Sequence, residues 1–230
     1  MADKIVLNTE KLQKEKKIKR IFKIILIIII LILLLLYVVV GIVYNRGNFS
    51  IALDANLYFN KGLIIYDDPE YKVYRSELYA KAPDTFDNIS YKWLPDDITE
   101  YNGSHNGDNY LAYSFYVENT GVEVADYWSE IVIDDIIKNV DEAVRIRIYK
   151  NDEVITYAKP NANGIFENGT IAFKDDETVG LDHVENFMPG DINKYTIVLW
   201  LEGSDPDCTD NILGGEFKVH MDFNSEHVDE

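Results

Sequence analysis

Cysteine is almost missing from this chain: Cys208 is the single thiol in 230 residues. One thiol excludes both a disulfide-stapled scaffold and a cysteine-ligated zinc cluster. Histidine is also sparse, with only His105, His183, His220 and His227. None of them forms the His-Glu-x-x-His pattern of zinc peptidases. No Gly-x-Ser-x-Gly elbow is present for a serine nucleophile. Positive charge is short overall, with 22 Lys and Arg against 40 Asp and Glu, a formal net charge of −18. Nucleic acid is therefore excluded as a partner, because a phosphate backbone demands a basic footprint.

Charge of either sign is missing from residues 24–44, which read IILIIIILILLLLYVVVGIVY. Only Gly41 in this run falls outside the apolar set. At about 1.5 Å per residue such a helix spans about 30 Å, the thickness of a bilayer's hydrocarbon core. A core helix of a soluble protein would carry a polar stripe, and this run has none. The run exceeds the ~7–15 apolar residues of a secretory h-region, and no small-x-small triplet closes it. The sequence thus predicts an uncleaved transmembrane anchor, with Tyr44 at the interface as in aromatic belts.

What is present divides by charge into three parts. Residues 1–23 hold eight Lys and Arg and three acids, a net charge of +5. Residues 45–230 hold 14 basic and 37 acidic side chains, a net charge of −23. Only Arg46 follows the apolar run closely. The positive-inside rule then places residues 1–23 in the cytoplasm and the acidic residues 45–230 outside the cell. The basic residues of 11–23 could also meet anionic headgroups, but they are read here as the topology signal.

Beyond the anchor the pattern has period two. Leu111, Tyr113, Phe115 and Val117 alternate with Ala112, Ser114, Tyr116 and Glu118. Val144, Ile146 and Ile148 alternate with Arg145, Arg147 and Tyr149. Phe217, Val219, Met221 and Phe223 alternate with Lys218, His220 and Asp222. Strict alternation marks half-buried strands. Residues 195–201 (YTIVLWL) are apolar almost throughout, as in a strand covered on both faces, and Trp200 should be buried. Residues 62–66, 71–79, 123–133 and 153–157 are further strand candidates. Asn119-Thr120-Gly121 and Asn151-Asp152 lie at hairpin distance between strands. Pro189-Gly190-Asp191 marks another turn. Residues 134–142 carry helical spacing, and 91–109 read as a long loop. The expected fold is all-β: an antiparallel β-sandwich preceded by one transmembrane helix.

The stretch YSFYVENTGVEVADYW, followed by NFMPGDINKYTIVLWLEGSDPDCTDNILGGEFKVHMDF, resembles the camelysin/TasA-like family of bacterial cell-envelope proteins. The likeness covers roughly residues 108–223. It rests on Asn119-Thr120-Gly121, on Pro189-Gly190-Asp191 and on Leu199-Trp200-Leu201-Glu202-Gly203 before an acidic loop. The resemblance implies a jelly-roll domain outside the cell. It also implies either fibre formation in an extracellular matrix or, for camelysin, a peptidase activity. The anchor departs from the family's cleavable signal peptide.

The candidate site is the acidic loop. Asp205, Asp207 and Thr209, with Glu216 eleven positions after Asp205, repeat the oxygen-ligand spacing of a calcium loop. Asp210 stands where that loop needs Gly, and strands flank the segment. Asp205, Asp207 and Glu216 are therefore candidate calcium ligands, with a solvated acidic turn as the other reading. The acids around Cys208 should raise its pKa and suppress a thiolate. His220 lies opposite the apolar face of its strand and should face solvent. Four Asn-x-Ser/Thr sequons, at Asn48, Asn88, Asn102 and Asn168, are at chance level in an Asn-rich chain.

The sequence thus predicts a single-pass, membrane-anchored envelope protein that displays an acidic β-sandwich outside the cell, in a structural or adhesive role. Its alternatives are a membrane-tethered camelysin-like peptidase and a docking subunit of an envelope assembly. The expected partners are the lipid bilayer through 24–44 and cell-envelope components or further copies of the chain. Calcium is the one candidate cofactor.

Overall fold

A computed structural model describes residues 2–44, 49–83, 85–161 and 163–227, and within the helix the side chains of Gln13–Val40. Arg46, the sequon at Asn48 and the side chain of Tyr44 lie outside the described residues. The chain falls into two compact units, Met1–Arg46 and Gly47–Glu230.

The first unit is one helix, α1 (Ala2–Tyr44). It continues through the basic stretch because that stretch is rich in Lys and has neither Pro nor Gly to stop it. The window Gln13–Val40 is long and apolar enough to cross a membrane, and none of it is buried against protein.

The second unit is a two-sheet β-sandwich. One sheet runs β3-β1-β11-β6-β9, formed by Glu77–Ala80, Phe49–Leu53, Glu216–Asn224, Ala125–Ile137 and Thr178–Phe187. The other runs β2-β5-β10-β7-β8, formed by Leu63–Tyr66, Tyr110–Asn119, Ile192–Leu201, Val144–Lys150 and Glu153–Ala158. A two-residue strand, β4 (Gly103–Ser104), pairs with β5. Pairing between named strands is antiparallel except at β1 and β11, which run parallel with Ile51 opposite Met221.

Only two links between successive strands stay within a sheet: β4 to β5, and the β7–β8 hairpin, whose turn places Asn151 at φ 54. Every other link crosses between sheets. The expected hairpin at Asn119-Thr120-Gly121 is therefore corrected: β5 and β6 lie in different sheets. The expected helical turns over 134–142 shrink to a 3-10 turn, Val140–Glu142, because β6 runs on to Ile137. The expected strand over 71–79 is confined to β3 and a bridge between Ile65 and Arg75. β1 and β9 were not foreseen. The loop at 91–109 holds a 3-10 turn, Tyr91–Trp93, and β4.

Each edge strand of the second sheet meets one bridging residue. Ile171 N–H donates to the Thr156 carbonyl at 2.8 Å, and its own carbonyl accepts from Ala158 N–H at 3.0 Å, capping β8. Arg75 N–H donates to the Ile65 carbonyl at 3.1 Å, beside β2.

The main core lies between the sheets and centres on aromatic rings. Phe115 stacks on Tyr195 at 5.3 Å, and Phe223 meets both rings edge-on, at 5.8 and 5.4 Å. Offset and edge-on pairs of this kind are the favoured arrangements. A second, smaller core lies on the outer face of the second sheet, where Ile89, Leu94 and Ile98 cover Ala112, Val198 and Trp200. This explains the unbroken apolar run of β10. Tyr195 and Ile197 face the main core while Val198 and Trp200 face the small one.

Trp200 is 2% exposed and Trp93 is 72% exposed. Trp200→Ala is expected to cost ~3–5 kcal/mol, and Trp93→Ala to stay within about 0.5 kcal/mol of wild type. Urea unfolding of the two variants checks this, and equal losses would contradict the two-core arrangement.

Candidate functional site

The largest set of buried charge gathers where β7 begins and β10 ends. Arg145 is the second residue of β7, and its alternation with Val144 and Ile146 turns it away from the main core. It is nevertheless only 2% exposed. Its Nε donates to Glu167 Oε2 at 2.8 Å and its Nη2 donates to Asp205 Oδ2. Its Nη1 donates to the carbonyls of Val144 at 3.1 Å and Glu142 at 3.4 Å. Burial works against the guanidinium charge, but the two carboxylates more than offset it and raise its pKa. Beside it, Lys159 Nζ lies 2.5 Å from Asp141 Oδ2 and 3.9 Å from Asp176 Oδ1. A cavity of about 210 Å³ opens here, lined by Arg145, Lys159, Asn161, Phe166, Glu167 and Asp205 among others.

The three expected calcium ligands are not grouped. Asp205 is buried at 9% exposure and committed: Oδ2 to Arg145, Oδ1 to the Asp207 N–H at 2.8 Å. Glu216 opens β11 opposite Ile137, with Oε1 3.5 Å from Lys218 Nζ. Among the described residues no three His, Cys, Asp or Glu side chains stand close enough together to hold a metal. The spacing matched a calcium loop, but the guanidinium supplies the positive charge that a cation would.

Glu202 is another buried carboxylate, 1% exposed, directly after β10. Its Oε2 accepts from Trp200 Nε1 and from Tyr91 N–H, both at 3.0 Å. Its Oε1 accepts from Ser204 Oγ at 2.7 Å. Burial pushes this carboxyl up, yet the combined hydrogen bonds win and hold it below the ordinary carboxylate value. Gly203 follows because a Cβ there would lie 2.4 Å from Asn88 Oδ1. For Cys208, burial is the first cause that pushes its thiol up, and Asp205, Glu202 and Asp87 push it further. A reactive thiolate is disfavoured there.

Asn119-Thr120-Gly121 and Pro189-Gly190-Asp191 meet in space. The buried Asn119 side chain donates to the carbonyls of Glu123 at 3.0 Å and Phe187 at 2.8 Å, and accepts from Gly121 N–H at 2.9 Å. Its backbone carbonyl accepts from Gly190 N–H at 2.7 Å, and its N–H donates to the Asp191 carbonyl at 3.0 Å. Thr120 Oγ1 donates to the Gly62 carbonyl at 2.7 Å. A Cβ at Gly121 would fall 2.1 Å from the Lys61 carbonyl oxygen, so only glycine fits.

Three histidines share the outer face of the first sheet. His183 stacks flat on Trp128 at 4.0 Å, and His227 lies 5.4 Å from the same ring. His220 does face outward, but between two carboxylates: Nδ1 is 2.8 Å from Asp134 Oδ1 and Nε2 is 3.3 Å from Asp222 Oδ2. The Asp222 hydrogen bond is the leading cause of its raised pKa.

No family model matches this chain. No curated protein matches it either. Among solved structures, a crystal structure of beta-glucosidase from Kluyveromyces marxianus in complex with glucose covers 73% of this chain at 12% identity and a TM-score of 0.25. This chain spans only 15% of that enzyme. A likeness at that score carries no argument about activity.

Nothing in the sequence marks Lys159 or Glu167, or gives Arg145 and Glu202 a buried polar role. The alternation 144–148 gave the side on which Arg145 projects, but nothing local reports the loops that bury it.

Asp205→Ala removes one of the two carboxylates that pair the buried Arg145 and is expected to destabilise the fold with no calcium present, by less than the about 3–5 kcal/mol of a fully uncompensated buried charge. Calcium and magnesium at roughly 10⁻⁴–10⁻³ M, the range of extracellular sites, are expected to shift the melting temperature equally by screening. A calcium-specific shift that Asp205→Asn abolishes would restore the loop as a metal site.

The His220 clamp gives a pH dependence of fixed sign. A raised folded pKa means that its stabilisation is fully present below the ordinary histidine value of 6.5 and is lost as pH rises through the folded value. The stability difference between wild type and His220→Gln should therefore shrink from pH 5.5 to pH 8, about one unit below and 1.5 units above the unperturbed value. A difference that grows over this range would contradict the clamp.

Proposed function

We propose that this protein is a single-pass membrane protein of the cell envelope that presents an acidic β-sandwich outside the cell, in a structural or adhesive role. The observation that carries this reading is the uncharged run at 24–44, exposed at every described side chain, between a segment of +5 and one of −23. Such a run costs free energy in water and gains it in hydrocarbon, and the basic flank sets the N-terminus on the cytoplasmic side.

The sandwich is read as a jelly roll. The orders β1-β11-β6-β9 and β5-β10-β7-β8, with links that cross between sheets, correspond to two interlocked Greek keys. The parallel β1–β11 pair departs from that pattern. The reading agrees with the resemblance to the camelysin/TasA-like family. The motifs behind that resemblance hold loops to one another through Asn119, Gly121, Gly190 and Glu202, which supports a role as a durable display scaffold. The acidic surface favours basic or cation-bridged partners in the envelope.

Protease added to intact cells is expected to degrade residues 45–230 and to spare the basic tail. Mass spectrometry of the membrane fraction should recover a chain that still includes residues 24–44. Protection of the C-terminal unit, or a mature N-terminus beyond Tyr44, would overturn the assignment.

A further inference from the structure

Lys159 and Asp141 meet in a setting suited to more than ion pairing. Nζ lies 2.5 Å from Oδ2. Asp141 is 3% exposed, and the Lys159 side chain is 18% exposed, with its nitrogen 6.0 Å from the centre of the Phe173 ring. Asp141 sits in the 3-10 turn between β6 and β7, and Lys159 directly follows β8. Each reacting group is thus held by the end of a fixed element, which supplies the proximity and orientation that a condensation needs. Asp176 Oδ1 is farther from the amine, at 3.9 Å, and fully exposed.

Glu142 follows Asp141 in the same 3-10 turn and is half-buried. Burial, and then the charge of Asp141, push its carboxyl up, as a group that must hold and release a proton requires. The cavity lined by Lys159 gives a departing water a way out.

We propose that Lys159 and Asp141 condense into an intramolecular amide, with Glu142 carrying the proton. The reacting forms are the neutral amine and the neutral acid, reached when a proton passes from the ammonium to the carboxylate. The Nζ lone pair attacks Cγ, and the Nζ–Cγ bond forms. Glu142 delivers a proton to Oδ2 and takes one from Nζ. The Cγ–Oδ2 bond breaks and Oδ2 leaves as water. Ammonium and carboxylate become one amide and one water, with no change of oxidation state and no added reagent. The product ties the turn before β7 to the end of β8 and closes a covalent ring around the β7–β8 hairpin. A chain with a single cysteine thereby gains a cross-link that reducing conditions do not open.

The test is mass spectrometry of the full chain solubilised in detergent. Wild type is expected about 18 Da, one water, below its sequence mass. Proteolysis should release a branched peptide that joins the segments containing residues 141 and 159. Lys159→Arg and Asp141→Ala should restore the full mass. Asp141→Asn should lose about 17 Da, one ammonia, if it reacts. Glu142→Gln keeps both reacting residues and should give the full mass while circular dichroism still reports a β-rich fold. Wild type at full mass, or a deficit that maps to another residue, overturns the proposal. A cross-link that survives Glu142→Gln overturns the role given to Glu142.

Discussion

The chain changes sheets at nearly every turn, and much of the polar architecture answers that constraint. A crossing loop leaves the ladder of one sheet before it joins the other. Its N–H and C=O groups then need partners that strands cannot supply, and buried backbone groups without partners are costly. Side chains fill the gap. Asn119 serves the crossings β5–β6 and β9–β10 together, with both ends of its amide in use. Glu202 gathers the loop that covers Trp200. Arg145 binds the carbonyls beside β7 and the loops that carry Glu167 and Asp205.

These groups also show why buried charge is tolerated in so small a domain. A desolvated ion is expensive unless nearly every hydrogen-bonding site is satisfied. Arg145 reaches two carboxylates and two carbonyls, and Glu202 accepts from an indole, a hydroxyl and a backbone amide. Loss of one partner leaves the buried ion only partly compensated, so the members of each cluster depend on one another. Gly121 stands where two loops approach too closely for any Cβ, and at Gly203 a Cβ would displace the Asn88 amide.

Much of the fold was legible in the sequence, and the failures share a cause. β10 could be read because two cores claim its two faces, which leaves a continuous apolar run. β9 shows no legible alternation because Gly180 and Asp182 stand where an edge strand's apolar residues would be expected, with Asp182 drawn towards Lys150 at 2.7 Å. Asn119-Thr120-Gly121 announced a turn correctly, but a turn signal does not say which sheet the chain enters next. The partner of Asp205 in the acidic loop was hidden for a related reason. Spacing along the chain cannot reveal a guanidinium 60 residues away that already occupies Asp205.

The caps at Ile171 and Arg75 reach beyond the single molecule. A sheet whose outer strands already have partners offers no template to a neighbour, a protection against edge-to-edge aggregation. At these two positions a strand that approached β8 or β2 edge-on would first have to displace Ile171 or Arg75, so each bridge guards the middle of its edge with a single residue.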